Sequence, residues 1–272
     1  MRLLNVKPNR GQSFVLAALP FMLAAGTYFI FSSLRLAENP NDKLLPALGT
    51  IIRSVRELAF QPDARTGDYI LWLDTASSLQ RLFIALAIST FAALVTGIIM
   101  GLLPLAGALL GPSVAVASMA PPLALLPILF IVMGLGEASK IALIVIGSLP
   151  FLVRDLALRV SELPREQFLK AQTLGASTWQ IVLRVVLPQM LPRLVDALRL
   201  TIGPAWLFLI AAEAIASDSG LGYRIFLVRR YLAMDIILPY VAWITLLAYL
   251  LDALLRWIQN RAFPWFAAAR AS

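Results

Sequence analysis

Few side chains in this sequence could make or break a bond. Its 272 residues include no histidine and no cysteine. That excludes Ser-His-Asp and Cys-His mechanisms, thiol catalysis, disulfides and Cys/His metal sites. No G-x-x-x-x-G-K-[ST] run is present to cradle nucleotide phosphates, and the nearest stretch, Gly134 to Lys140, lacks the Gly-Lys pair. No catalytic or metal-binding set is expected. One carboxylate stands out instead, because Glu213 falls inside an apolar run, away from its ends. A carboxylate at membrane depth is costly. It either serves a path or gate, or pairs with another helix and holds the bundle together, and pairing is the favoured reading. Trp206, in the same run, lines that path or packs.

The other polar residues that stand out are contiguous. Leu163 to Leu194 reads LPREQFLKAQTLGASTWQIVLRVVLPQMLPRL. Pro164 suits a first helical turn, and Glu166 then sits at the positive end of the helix dipole. Gly175 suits a left-handed residue just past the helix end. Ser177 with Gln180 three residues on has capping-box spacing and opens a second helix. Pro188 and Pro192 are expected to break or kink that helix. A charged helix pair of this kind, held between two membrane-length runs, is built to touch a soluble partner.

The elements that position these residues are membrane spans. The chain is 60% hydrophobic and 14% charged, with mean hydropathy +0.83. Soluble domains are about 45–50% apolar and about 25% charged. The length allows six spans of roughly 20 residues. Phe14 to Phe31 is the first, too long for a signal-peptide core and read as an uncleaved helix. Leu48, Ile51, Ile52, Val55, Leu58 and Ala59 share one face of an amphipathic helix with Arg53, Arg56 and Glu57 opposite, suited to the outer interface. Residues 61–74 read as loop, with Tyr69 and Trp72 in an aromatic belt. Leu82 to Leu103 is the second span, and its Gly97 and Gly101 permit close helix approach. Gly107 to Pro112 reads as a turn. Ser113 to Met133 is the third span, interrupted by Pro121, Pro122 and Pro127, either as a pathway-lining break or as a plain kink. Ser139 to Arg159, Leu194 to Ser217 and Ala233 to Trp257 complete the six. Arg224, Arg229 and Arg230, in the outer segment before the last span, either meet an acidic binding protein, attract anions or form a solvated basic face, and the last is the favoured reading.

Charge placement orients the bundle. The N-terminal tail with Arg2, Lys7 and Arg10, residues 154–199, and the C-terminal stretch from 252 with Arg256, Arg261 and Arg270 hold thirteen basic and five acidic residues. The remaining regions hold ten of each. The net charge of +8 thus falls on one side. This is the positive-inside pattern of a protein with both termini in the cytoplasm, so the basic balance needs no nucleic-acid partner.

Leu163 to Leu194 resembles the cytoplasmic coupling loop of ABC importer permeases, whose pattern is E-A-A, three residues, Gly, nine residues, I-x-L-P. Gly175 fits, nine residues follow, Val185 takes the isoleucine place, Leu187-Pro188 match, and Ala171 matches the second alanine. Leu169 and Lys170 replace the glutamate and the first alanine. Further stretches are similar to the nitrate, sulfonate and taurine branch: Ser78-Leu79-Gln80-Arg81, Ala120 to Ala124, Leu126-Pro127, Gly134 to Lys140, Ala212-Glu213, Ser219 to Gly222, and Asp235.

The resemblance implies an all-α, six-helix, type I ABC importer permease of the bacterial inner membrane. It implies a homodimer with two ATPase subunits that bind ATP and Mg, an extracytoplasmic solute-binding protein, and a small anionic solute such as sulfonate, taurine or nitrate. Residues 1–76 would form an N-terminal helix and interfacial helix, 77–260 the permease core with coupling loop 161–192, and 261–272 a cytoplasmic tail. Glu166, Lys170, Ala171, Leu174, Gly175, Ala176 and Ser177 would meet the ATPase. Pro122, Pro127, Trp206 and Glu213 are the pathway or gate candidates. The rival, a secondary transporter or channel working without an ATPase, should show inverted repeats and several buried ionisable residues. Neither is evident in the sequence.

Overall fold

The computed structural model describes residues 9–40, 42–64 and 66–266. Arg2, Lys7 and Arg270 of the inner charge count lie outside the described residues, as does the end of the tail. The described residues fold as helices only: α1 (Arg10–Glu38), α2 (Leu48–Phe60), α3 (Ile70–Leu102), α4 (Pro104–Met119), α5 (Leu126–Met133), α6 (Glu137–Ser161), α7 (Arg165–Thr173), α8 (Thr178–Ile181), α9 (Leu187–Ile215), α10 (Leu221–Arg229) and α11 (Met234–Ala262). Five stretches are long and apolar enough to cross a membrane, and the bent pair α4–α5 makes a sixth. The end carrying α7 and α8 is here the inner end, following the charge.

α3, α6 and α9 form the centre. Lipid is as apolar as leucine, so close van der Waals fit rather than water exclusion holds such helices together. Gly97 and Gly101 supply that fit. A Cβ added at Gly97 would lie 2.9 Å from Leu156 Cβ, and one at Gly101 2.7 Å from the Ala157 carbonyl. One buried cluster, with Leu82, Leu143, Trp206, Leu209 and Tyr240, fills the outer half. A second, with Ile98, Leu156, Val160, Ile181 and Met190, fills the inner half.

α1 stands largely apart, with none of its most apolar window buried. It is tied to the next segment by the Tyr28 hydroxyl, which donates to the Pro46 carbonyl at 2.7 Å. Ser32 Oγ adds a bond to the Leu45 carbonyl at 3.0 Å. The amphipathic helix stands where its spacing places it, as α2. Trp72 Nε1 donates to its Ala59 carbonyl at 3.0 Å.

Three expectations change. First, α3 begins at Ile70, so residues 70–74 are helix rather than loop, and a boundary at 76 falls inside α3. Polar residues on this turn find partners across the bundle, so hydropathy under-reads it. Second, residues 107–112 belong to α4, and the third span is a helix bent by 86° onto a 3-10 turn at Pro122–Leu125 and then α5. Pro121 and Pro122 cannot donate to the helical ladder, which is why the turn falls there. Third, Pro188 and Pro192 do not end the helix. A π-helical turn at Val182–Val186 lets Leu187 N–H reach the Val182 carbonyl, and the wider turn makes room for the Pro188 ring. Thr178–Ile215 is therefore one 38-residue run.

Candidate functional site

The polar residues gather at two ends of the bundle. At the outer end Glu213 is fully buried. Ser78 Oγ donates to its two oxygens at 2.8 and 3.0 Å. Arg81 Nη1 donates to Oε1 at 2.6 Å, and the Gly222 N–H to Oε2 at 2.9 Å. Three donors thus satisfy a carboxylate that would otherwise be costly at this depth. Arg81 Nη1 also reaches the Ser219 carbonyl at 2.8 Å. Its other edge, Nε and Nη2, forks onto Glu137 at the start of α6. Lys140 Nζ donates to the same Glu137 at 2.8 Å and to Ser217 Oγ at 3.2 Å.

The 219–222 turn folds over this pair. Gly220 has φ 129°, and a Cβ there would lie 2.5 Å from the Glu213 carboxyl carbon, so only glycine closes the turn. Its N–H donates to Asp74 Oδ1 at 3.0 Å, and the Leu221 N–H donates to Ser78 Oγ at 2.9 Å. Asp74, also fully buried, accepts from Arg224 Nε at 2.8 Å and from the Tyr240 hydroxyl at 3.1 Å. Burial works against the Arg224 charge, but the Asp74 carboxylate outweighs it, so this guanidinium holds its proton more tightly than an exposed one. Three acids, Asp74, Glu137 and Glu213, thereby balance three bases, Arg81, Lys140 and Arg224, across α3, α6, α9 and α10.

This cluster corrects two sequence expectations. Beside Glu213 it holds a second buried acid, Asp74, near the start of α3. Arg224 is a half-buried ion-pair partner, although Arg229 and Arg230 are exposed as expected. Glu137 opens α6. Several ionisable residues are buried, so their supposed scarcity carries no weight against a secondary transporter. The sequence signal for the partners was present, since Ser78, Arg81, Glu137, Lys140 and Ser219 to Gly222 all lie in the resembling stretches. Nothing local says that residues 132 apart, Arg81 and Glu213, meet.

The remaining pathway candidates lie elsewhere. Trp206 is on α9 seven residues before Glu213, about two turns along the same face, buried in the outer core. Its indole N–H has no partner among the described residues. Pro122 and Pro127 mark the α4–α5 break, half-buried and exposed respectively.

At the inner end, α7 and α8 are held mainly by local devices. Gly175 has φ 80°. The Ala176 N–H donates to the Ala171 carbonyl and the Gly175 N–H to the Gln172 carbonyl, at 3.0 and 2.9 Å. That is the Schellman closure of a helix end. Ser177 and Gln180 form both bonds of a capping box. Ala171, Ala176 and Phe168 turn inward onto the inner cluster. Glu166, Lys170, Leu174, Gly175 and Ser177 face out. Leu174 is 87% exposed at the tip, with Leu169 and Trp179 also open. Beside this loop, Asp155, Arg159, Arg193, Asp196, Arg199 and Asp252 line a cavity of about 570 Å³.

Residues 71–265 match the family described as "Binding-protein-dependent transport system inner membrane component". The chain is similar to the taurine transport system permease protein TauC of Escherichia coli, 37% identical over 73% of this chain and 72% of that protein. It is also similar to the nitrate import permease protein NrtB of Synechococcus elongatus, 28% identical over 71% of each. Among solved structures, an inward-facing MetNI methionine ABC transporter chain superposes with TM-score 0.60 at 20% identity, over 74% of this chain and 97% of that one.

Proposed function

We propose a specific role for this chain from one premise: it belongs to the family of binding-protein-dependent transport system inner membrane components, and it is an ABC importer permease of the inner membrane. In this role it pairs with a second copy, docks an ABC ATPase on α7–α8, and passes a small anionic solute of the sulfonate, taurine or nitrate type from an extracytoplasmic binding protein. Relatives named for taurine and nitrate support that solute class. The ATPase holds ATP and Mg. The helices from α3 to α11 act as the transport core, with α1 and α2 attached before it.

The observation that carries this reading is the inner loop. A Schellman turn presents Leu174 and the neighbouring Leu169 and Trp179 to the aqueous side, where apolar surface is costly without a partner. The chain itself has no P-loop, so the energy must arrive from outside. Two copies are favoured because six helices with few polar residues enclose no wide hydrophilic path alone.

Movement has a direct route through the chain. α8, the π-helical turn and α9 are continuous from Thr178 to Ile215, about 57 Å at the helical rise, and join the loop to the Glu213 cluster. ATP-driven approach of two ATPases would move these loops and rock the spans as rigid bodies. Glu213 serves as a structural partner of Arg81 in this reading.

Gly175→Val tests the docking. A β-branched residue is strained at φ 80°. The variant is expected to insert in the membrane and lose most ATPase on co-purification. A normal yield of complex with normal transport would refute the assignment.

A further inference from the structure

We propose that Arg81 and Lys140 form an oxyanion subsite at the outer end, which Glu137 occupies as a tethered ligand and vacates for the anionic group of a passing solute. This rests on reading the chain as a permease for an anionic solute, and it adds to that reading where the solute's charge is met.

The three carboxylates of the outer cluster differ in one respect. The side chains of Asp74 and Glu213 are fully buried. That of Glu137 is 57% exposed, although the Arg81 and Lys140 side chains it holds are only 6% and 4% exposed. A carboxylate that pairs two nearly buried cations while facing water is the replaceable member of the cluster.

Arg81 is divided between two roles. Its Nη1 is committed to buried Glu213 and the Ser219 carbonyl. Its Nε/Nη2 edge is a fork taken by the two oxygens of Glu137. That edge matches any planar or trigonal pair of oxygens, which sulfonates, nitrate and carboxylates all present. Lys140 adds a point charge to the same Glu137 oxygen that Arg81 Nη2 contacts.

The charge count fixes the ligand's charge. With Glu137 turned away, Arg81 and Lys140 face only Glu213, which leaves one positive charge for one monoanion. The tethered carboxylate competes at an effective concentration on the order of millimolar. It keeps the subsite weak, as release into a pathway requires, and removing its charge should strengthen anion binding.

The test uses the purified complex with its ATPase, compared in nitrate, methanesulfonate and chloride at equal ionic strength. Glu137→Gln is expected to melt several degrees higher in millimolar nitrate or methanesulfonate than in chloride. The unmodified protein should shift much less, and the Glu137→Gln/Lys140→Gln double variant not at all. No oxyanion-specific rise in Glu137→Gln, or an equal rise in the double variant, would overturn the proposal.

If Glu137→Gln does not survive extraction, recovery by either oxyanion supports the subsite and failure of both overturns it. A response to nitrate alone restricts the subsite to inorganic ions, whereas a response to both extends it to an organic solute's group. ATPase co-elution in the same preparation reports separately on the importer reading.

Discussion

The two polar ends of this bundle solve opposite problems. At the outer end, all the charged groups but Glu137 are largely buried, and pairs join different helices: Asp74 with Arg224, Glu213 with Arg81 and Glu137 with Arg81, while Lys140 meets Glu137 within α6. At the inner end, charged groups lie in water and the helix pair is closed largely by its own caps, with Leu174 left open. The outer end is complete within one chain. The inner end holds its shape and leaves Leu169, Leu174 and Trp179 open. Damage outside should therefore appear as lost stability, and damage inside as lost association.

Arg81→Ala should show the largest effect. It strands fully buried Glu213 with its strongest partner gone, and an uncompensated buried charge costs about 3–5 kcal/mol. A large drop in melting temperature in detergent is expected, against almost none for exposed Arg229→Ala. Equal, small effects would mean that the outer cluster is not what holds the helices together.

Glu213→Ala should cost less, because Arg81 keeps Glu137. The loss of a buried hydrogen-bonding partner is typically about 1–3 kcal/mol, and more for charged groups. Glu213→Gln keeps shape and most hydrogen bonds, so it should assemble and retain much transport. A stable Glu213→Gln complex that hydrolyses ATP and moves no solute would assign the charge itself to gating.

Ser177→Ala should be the mildest of these three. Loss of an N-cap costs about 0.5–2 kcal/mol of local helix stability. Hydrogen exchange should quicken over residues 177–181, with the melting temperature of the bundle nearly unchanged. Faster exchange spreading into α9 would show that the inner end is not locally closed.

The same contrast explains what the sequence could reveal. The inner loop is written in neighbours: Gly175 supplies the positive φ, and Ser177 with Gln180 supplies the cap. The amphipathic face of α2 and the Gly97/Gly101 spacing are equally local, although the helix those glycines admit, at Leu156 and Ala157, is not. The outer cluster is written across distance. Glu213 stood out as an acid in an apolar run, but Asp74 looked like loop and Arg224 like surface, because their partners lie 150 residues apart in sequence. The prolines likewise marked disturbances without their form. Pro121 and Pro122 gave an 86° bend, while Pro188 was absorbed by a π-helical turn within a continuous run. Whether a break bends or heals depends on the packing around it, which no short window contains.

The most direct measurement is ATPase retention by Leu174→Glu, a change at the most exposed large apolar side chain of the inner loop. The side chain contacts little within the chain, so the melting temperature of the permease should be unchanged. The apolar tip becomes charged, so the ABC ATPase should be largely lost on co-purification, and ATP-driven uptake into vesicles with it. A Leu174→Glu permease that keeps its full complement of ATPase and transports normally would contradict the assignment of α7–α8 as the docking element.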